Sequence, residues 1–325
     1  MYSSKADRNQ YICTHIRWFM RLNKYYSAAF LAFFVWGFFS FALKPLHHYP
    51  SLDILFYRVF FSAITMVLIN VVFRRRVVRE NWNHFKSCAP KQQKSIALLT
   101  LGGGVFLSSN WFVYIYVMNH VSVGAASLAY LICPIVTTVF AFLMLKETLS
   151  KWQWIAVAIS FFSCILLSFN HFQDLFYSLI TAATYALYLV SQRKNSGIDK
   201  FLSLTIQLIF TALVLLPFYP KYSGAVPTET LFYSCMFMIV VFFTIIPLFL
   251  NLYALQGINS SSVGIMIYIN PIINFLLALF YYNEHVSSLQ LLSYFLILVS
   301  IVVFNEKILF SKKPTAMATE VEGYK

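Results

Sequence analysis

Apolar segments of about 20 residues follow one another along almost the whole chain, with short polar breaks between them. A helix needs about 20 mostly apolar residues to cross the hydrocarbon core of a bilayer. Hydrophobic residues make up 60% of the 325 positions, and charged residues make up 11%. A soluble domain cannot bury that much apolar surface. The composition therefore excludes a soluble enzyme, a disordered chain, a secreted disulfide scaffold and a nucleic-acid-binding domain.

Ten such segments can be placed along the chain. Two runs are too long for one helix and are divided at Asn119-His120 and at Gln256-Gly257. We predict an all-α integral membrane protein with ten transmembrane helices, the first of them a retained signal-anchor. The predicted spans are Tyr26–Leu46, Asp53–Phe73, Ser95–Met118, Val121–Leu145, Lys151–Asn170, Phe172–Ser191, Lys200–Phe218, Leu231–Leu255, Ile258–Tyr282 and Ser287–Ile308.

The basic residues are distributed unevenly between the two sides of these spans. Of the 24 Lys and Arg residues, 21 fall in the two tails and in the loops after even-numbered spans. Lys44 and Lys221 fall on the other side, and Arg58 lies within the second span. Positively charged loops stay in the cytoplasm, so we predict cytoplasmic termini and a location in the plasma (inner) membrane. The net charge of +13 then reflects topology, and we expect no nucleic-acid partner.

A weak internal repeat appears when the chain is shifted by 137 residues. The shift moves the fourth span onto the ninth, which is five helices, so the two copies cross the membrane in opposite directions. Secondary transporters often have such inverted repeats. We expect a basic N-tail (1–25), two five-helix repeats (26–170 and 171–310) and a C-tail (311–325). The matched pairs are Tyr116 and Tyr253, Pro134 and Pro271, Glu147 and Glu284, Ser150 and Ser287, and Gln153 and Gln290.

Short motifs occur in a characteristic order: Trp36-Gly37, Tyr57-Arg58-Val59-Phe60, Ser109-Asn110-Trp111, Ala126–Tyr130 through Pro134, Leu145-Lys146-Glu147, Ala186-Leu187-Tyr188 and Tyr268-Ile269-Asn270-Pro271. From Tyr26 to Phe310 the chain resembles the EamA type of the drug/metabolite transporter superfamily, and most closely its RarD-like branch. The resemblance implies ten helices in two inverted five-helix repeats, transport of small organic solutes and cytoplasmic termini. It also points to Trp36, Trp111, Tyr130 and Tyr188 as substrate-binding aromatic residues.

Arg58 is the most unusual residue within a predicted span. Charged groups inside a membrane usually face the bundle interior and mark a pathway or an ion pair. Arg58 could bind substrate or form a gate, or it could pair with another helix or extend its side chain to the outer headgroups. An arginine in a cavity would favour solutes with a carboxylate or phosphate.

Three amides and two prolines are further candidates within the spans. Asn110, Asn251 and Asn270 could bind a substrate, or they could hold helices together. Pro134 and Pro271 lie near the middle of the fourth and ninth spans, where a proline could act as a hinge or produce a static kink.

Glu147 and Glu284 each precede a Ser-x-x-Gln sequence, which is typical of a capping box that opens the next span. We therefore interpret these carboxylates as helix caps. The first span has no Asp or Glu, whereas the smallest multidrug exporters of the superfamily exchange protons through a glutamate there. Coupling to protons or to a counter-substrate therefore stays open.

The leading hypothesis is a secondary transporter that moves an amino acid, a metabolite or a drug-like solute by alternating access. The chain has no nucleotide-binding G-x-x-x-x-G-K sequence, and we expect no cofactor and no metal. A passive channel and an integral-membrane enzyme are the alternatives, although no catalytic motif is visible.

Overall fold

The structure, a computed structural model, describes residues 24–120, 123–167, 172–281 and 288–305, and every regular element within these ranges is a helix. We number the α-helices α1 to α15. They span 24–37 (α1), Phe39–Leu43 (α2), Ser51–Phe73 (α3), Arg75–Ser87 (α4), Pro90–His120 (α5), Val123–Leu145 (α6), Lys151–Leu167 (α7), Phe172–Lys194 (α8), Lys200–Leu215 (α9), Tyr219–Tyr222 (α10), Thr230–Val240 (α11), Ile246–Ala254 (α12), Ser260–Met266 (α13), Ile269–Phe280 (α14) and Ser288–Phe304 (α15). A 3₁₀ turn (Lys44–Leu46) follows α2, and a π-helical turn (Val241–Ile245) joins α11 to α12.

Helices occupy the apolar segments that the sequence marks. Among the described residues, three stretches are long and apolar enough to cross a membrane by length and composition: Ser51–Phe73, Pro90–Val117 and Thr230–Ala254. Five further apolar helices of 10–17 residues are shorter than this criterion requires. The all-helical class is therefore confirmed for the described residues, and the number of crossings stays a prediction. The N-tail before Lys24 and the whole C-tail 311–325 lie outside these residues.

The bundle has an apolar exterior and many polar side chains in its interior. Large hydrophobic residues such as Leu68, Phe73 and Leu213 are exposed, whereas Ser62 and Asn70 on α3 are buried. Water would penalise this arrangement, but lipid does not, because hydrocarbon chains are as apolar as the exposed side chains. The distribution is that of an integral membrane protein.

One segment that the sequence analysis treats as a loop is helical. Residues Arg75–Ser87 form α4 directly after α3, although the span prediction leaves them between two transmembrane helices. Val78 and Phe85 of α4 are partly buried, whereas its charged residues are exposed. The apolar residues recur at helical spacing, so this segment can pack one face while the other stays hydrated.

The two prolines of the repeat have different surroundings. Pro134 lies inside the continuous helix α6. Pro271 lies in the first turn of α14, where its missing N–H group removes no helical hydrogen bond. The predicted ninth span is interrupted at Ile267 and Tyr268, because α13 ends at Met266 and α14 begins at Ile269.

The N-terminal and C-terminal halves of the chain pack against each other through several helix pairs. Helix α3 contacts α9, α5 contacts α8 and α9, α6 contacts α8 and α13, and α7 contacts α15. Small residues permit this close approach: a Cβ on Gly104 of α5 would lie 3.2 Å from the backbone carbonyl of Gln207 on α9. The interior side chains of several helices therefore meet in one region.

Candidate functional site

Arg58 lies in the interior of the bundle. Arg58 is 6% exposed, and its Nε donates a hydrogen bond of 2.9 Å to Thr244 Oγ1. Its Nη2 donates a hydrogen bond of 3.4 Å to the carbonyl oxygen of Phe243. Among the described residues no carboxylate pairs with this guanidinium. The side chain thus does not extend to the headgroups, and its positive charge lies inside the protein without a described counter-charge.

Aromatic side chains surround the guanidinium. Its central carbon lies 4.2 Å from the ring centroid of Trp111 and 5.3 Å from that of Phe39. The Tyr114 and Tyr130 side chains lie within electrostatic range of Arg58, and their ring centroids are 5.2 Å apart. Cation–π contact partly compensates for lost hydration of the arginine. It leaves the in-plane N–H donors able to bind an oxygen ligand.

The oxygens that hold Arg58 come from the π-helical turn. Thr244 donates its own hydroxyl to Ile239 O, five residues earlier, at 2.8 Å. Phe243 O also accepts a bond of 2.7 Å from Trp36 Nε1. Pro247 has no N–H group to give to Phe243 O in the i to i−4 bond of a regular helix. This carbonyl is therefore available to Trp36 and Arg58, and the turn links α1, α3 and the α11–α12 segment.

A second aromatic group adjoins Trp36. The rings of Trp36 and Tyr185 make an edge contact at 6.3 Å, and Tyr185 is 5.9 Å from Tyr188. Asn251 donates Nδ2 to Tyr185 Oη at 2.9 Å. Within the part of the chain that the structure describes, Asn251 Oδ1 and Tyr188 Oη are buried without a hydrogen-bond partner. Such groups normally find a partner, so they are candidates for contact with a polar ligand.

The other two amides have different surroundings. Asn110 is buried and donates Nδ2 to Thr181 O at 2.9 Å, so it links α5 to α8. Asn270 is 5% exposed at the start of α14, and its Oδ1 has no partner among the described residues. The geometry thus gives Asn110 a helix-linking bond and leaves Asn251 and Asn270 each with an unused acceptor.

Comparison with known proteins identifies the family. The model of the EamA-like transporter family matches residues 23–169 and again residues 174–305. The chain belongs to the EamA-like transporter family. Several relatives that resemble it over most of their own length are named as transporters, so this EamA-family protein is a membrane transporter of small solutes.

Three relatives and one solved structure illustrate the similarity. An uncharacterized transporter, YojE of Bacillus subtilis, is 31% identical over 85% of this chain and 91% of its own length. Protein RarD of Escherichia coli is 23% identical over 89% of this chain and 96% of its own length. An S-adenosylmethionine uptake transporter of Rickettsia bellii is 22% identical over 81% of this chain and 87% of its own length. One crystal structure with 14% identity aligns with 87% of this chain and 98% of its own, at a TM-score of 0.64, which shows a shared fold.

These findings confirm the resemblance to EamA-type, RarD-like transporters that the motifs predict. The site residues are brought together only in part. Trp36 and Arg58 both donate to Phe243 O of the π-helical turn, Trp111 contacts Arg58 through its ring, and Tyr130 lies within electrostatic range of Arg58. Tyr188 and Asn251 adjoin Tyr185.

The sequence analysis did not identify Thr244 and Phe243 as site residues. Neither is charged, and the Phe243 contribution is a backbone atom. Pro247, in the Ile246-Pro247 sequence within the eighth span, could have indicated the Phe243 carbonyl. A proline there leaves the carbonyl four residues upstream without its helical hydrogen-bond partner.

Glu147 caps a helix, but a different one from the helix that follows it. Its Oε1 accepts from Ser260 N at 3.0 Å, and its Oε2 accepts from Ser261 N at 3.2 Å and from Ser261 Oγ at 2.7 Å. The predicted capping box of the fifth span forms without it, through Ser150 N to Gln153 Oε1 at 2.9 Å and Gln153 N to Ser150 Oγ at 3.2 Å. Glu147 thus connects the α6–α7 loop to α13. Glu284 and Ser287, the corresponding pair of the second repeat, lie outside the described residues.

A second polar connection lies at the same end of the bundle. Arg74, just after α3, forms an ion pair of 3.0 Å with Asp199, just before α9. Asp199 also caps α9 by accepting from Leu202 N at 3.0 Å. Both this pair and the Glu147 contact join the N-terminal half of the chain to its C-terminal half.

Proposed function

We propose that this protein is a secondary transporter that moves a small organic solute with a carboxylate or phosphate group across the plasma membrane by alternating access. Arg58 would bind the anionic group, and the surrounding aromatic side chains would contact the rest of the solute. We further infer ten crossings in two inverted five-helix repeats, with both termini in the cytoplasm. The proposal includes substrate-binding roles for Trp36, Asn110, Trp111, Tyr130, Tyr188, Asn251 and Asn270, and hinge roles for Pro134 and Pro271.

The observation that carries the proposal is the burial of Arg58 without a described counter-charge. Burying an unpaired charge is costly, so a protein keeps such a group mainly where it has a function. The guanidinium fork is suited to two parallel hydrogen bonds with a carboxylate or phosphate. Its two described acceptors, Thr244 Oγ1 and Phe243 O, are uncharged and leave the positive charge unneutralised.

The unused acceptors suggest a second point of attachment for the solute. Asn251 Oδ1 can accept from a hydroxyl, an amide or an ammonium group, and Tyr188 Oη can donate or accept. The Rickettsia bellii relative is named as a transporter of S-adenosylmethionine, a compound with both a carboxylate and an ammonium group. We therefore include this compound among the test solutes.

The helix contacts support inverted repeats. A two-fold axis relating the halves would bring equivalent spans together in pairs, as in any isologous contact. The structure contains three such pairs: the second span with the seventh (α3 and α9), the fourth with the ninth (α6 and α13) and the fifth with the tenth (α7 and α15). Alternating access in such folds is a movement of one repeat against the other around a central site.

Transport by alternating access requires contacts that can open on one side. The Glu147 contact with Ser260 and Ser261 and the ion pair between Arg74 and Asp199 are suited to this role, since each joins the two halves at one end of the bundle. With the predicted topology this end is cytoplasmic. Both contacts use charged groups near the protein surface, where water can replace the lost hydrogen bonds when the end opens.

The experiment that tests the proposal compares Arg58→Gln with wild type in proteoliposomes. Radiolabelled amino acids, S-adenosylmethionine, phosphorylated metabolites and cationic drugs would be offered, and thermal unfolding of detergent-purified protein would report binding. We expect wild type to transport anionic or zwitterionic solutes with saturation. Losing a charged hydrogen-bond partner costs about 1.5–3 kcal/mol, so Arg58→Gln should weaken apparent affinity roughly 10-fold to 150-fold.

Two further variants and one control complete the test. Arg58→Lys keeps the charge without the planar fork and should recover only part of the affinity. Thr244→Val removes the acceptor of Arg58 Nε at nearly constant volume and should also weaken binding. Arg76→Gln removes an exposed cation and should behave as wild type. Unchanged transport of anionic solutes by folded Arg58→Gln protein would refute the proposed site, and linear, unsaturable flux in wild type would favour a channel.

A further inference from the structure

We propose that α4 carries a binding surface for anionic phospholipid headgroups in the leaflet next to it. The surface consists of four exposed residues, Arg75, Arg79, Trp82 and Lys86, which we call the α4 stripe. It is separate from the Arg58 site and does not depend on the solute that the protein transports.

The α4 stripe follows from helical geometry. Its residues are spaced by four, three and four positions, so they project from one side of the helix. All four are exposed, and Trp82, near the middle of the stripe, is 56% exposed. The Lys86 ammonium lies 5.0 Å from the ring centroid of Trp82. Three cations and one indole thus form a continuous surface about three turns long.

The position of α4 places this surface at the membrane boundary. Helix α3 ends at Phe73, which is 81% exposed, and α4 begins two residues later. The apolar exterior of α3 therefore ends where the basic residues begin. Tryptophan prefers the headgroup layer, where its ring can lie against the acyl boundary while the indole N–H stays in a polar environment.

The opposite side of α4 is attached to the protein, so the orientation of the stripe is set. Val77, Val78, Asn81 and Phe85 are partly buried. The Asn81 side-chain carbonyl accepts a hydrogen bond of 2.8 Å from the backbone N–H of Asp199. Because Asn81 and Trp82 project from different sides of the helix, this bond holds the α4 stripe away from the bundle.

The charge of the α4 stripe is not neutralised within the described protein. Arg74 pairs with Asp199, and Arg76 pairs with Glu80 at 2.7 Å. Among the residues with described positions, Arg75, Arg79 and Lys86 form no ion pair with a carboxylate, and Arg75 Nε donates to the neutral carbonyl of Val71. A cluster of cations beside a transmembrane helix attracts anionic lipids. A basic loop that served topology alone would not need to align its cations with an exposed tryptophan.

The test uses full-length protein purified in neutral detergent and titrated with phosphatidylglycerol or phosphatidylcholine, with bound lipid counted by native mass spectrometry. The double variant Arg79→Gln/Lys86→Gln removes two cations from the α4 stripe. The matched control Arg76→Gln/Lys91→Gln removes two exposed cations from the same region but outside the stripe. None of these residues is buried, so both variants should fold, and thermal unfolding in phosphatidylcholine verifies this.

We expect wild type to bind phosphatidylglycerol more tightly than phosphatidylcholine. Each cation near an anionic surface contributes about fivefold in affinity, so the stripe variant should lose roughly 25-fold and the control much less. Trp82→Ala should weaken binding of both lipids. Equal losses in the two double variants, or no preference for phosphatidylglycerol in wild type, would overturn the proposal. Arg58→Gln should bind both lipids as wild type does. A failure of the proposed transport site would therefore not change the lipid-binding result, and the two proposals can be refuted separately.

Discussion

At the scale of single residues, the three adjacent glycines of α5 show how position decides function within one motif. Gly102, Gly103 and Gly104 follow one another in the sequence, and such a run of small residues is typical of a patch that permits close helix packing. The structure separates them: a Cβ on Gly103 would lie 2.2 Å from Gln192 Nε2, whereas a Cβ on Gly102 would meet nothing within 4 Å. Gly103 therefore makes room for a buried polar network.

That network connects α5, α8 and α9. Gln192 donates Nε2 to Leu99 O at 3.1 Å and accepts at Oε1 from Gln207 Nε2 at 2.8 Å. Buried amides of this kind need all their partners, because an unsatisfied one costs more than the bond itself gains.

Gly103→Ala should destabilise the protein. The added methyl group would displace the Gln192 amide and break at least one buried hydrogen bond, at a cost of about 1–3 kcal/mol. Thermal unfolding of detergent-purified protein would measure the change. Gly102→Ala is the matched control, and it should be neutral or slightly stabilising because alanine favours helix by about 1 kcal/mol over glycine. Equal melting temperatures for the two variants would contradict the role of Gly103.

At the scale of helices and turns, Glu147 shows that the sequence can predict that a residue caps a helix but not which helix it caps. A carboxylate near a Ser-x-x-Gln sequence predicts helix capping, and capping is what Glu147 does. Its partners, Ser260 and Ser261, lie 113 and 114 residues further along the chain. No local pattern connects positions so far apart, so only the packing of α6 against α13 reveals the contact.

Glu147→Ala should loosen the start of α13. Loss of a helix cap costs about 0.5–2 kcal/mol, so the Ser261 amide should exchange its hydrogen faster with solvent. Hydrogen–deuterium exchange with mass spectrometry would measure this over the peptide that contains α13. Glu80→Ala is a suitable control, since Glu80 forms an exposed pair with Arg76 that contributes little to stability. Unchanged exchange in Glu147→Ala would show that the contact is not formed in solution.

At the scale of the whole molecule, the interior and the exterior follow different rules. Polar side chains such as Ser160, Ser163 and Asn195 are fully or almost fully buried, and they bond across helix interfaces. Lipid offers no hydrophobic gain on helix association, so such bonds and close packing of small residues hold the helices together. The proposed alternating access requires that some of these interfaces separate, and the charged contacts at one end are those best able to exchange with water.

The proposed topology predicts a labelling pattern. Lys221→Cys should react with a membrane-impermeant maleimide in intact cells, whereas Arg79→Cys should react only after permeabilisation. Both variants should be made in a protein that lacks Cys88, which is partly exposed, and Cys13, which lies outside the described residues. Cys133 and Cys164 are buried. Labelling of Arg79→Cys in intact cells would refute the predicted orientation.

Much of the fold could be predicted from the sequence because membrane insertion depends on local composition. A run of about 20 apolar residues is readable without knowing its neighbours, and helices occupy those runs in the described residues. The α4 helix was missed because the span analysis looked for continuous apolar runs, whereas α4 is apolar on one side only. The π-helical turn was missed because its signal is a single proline, Pro247, within an otherwise regular segment.

The sequence by itself therefore determined the membrane setting, the approximate helix positions and the identity of Arg58 as the unusual charge within them. The tertiary structure decided what Arg58 contacts. Its partner Thr244 lies 186 residues away, and a side chain of this length can also reach the headgroups from the same helix. Hydrophobicity acts on each segment separately, but a hydrogen bond needs two groups at one place. Only the packing of α3 against the π-helical turn brings those groups together.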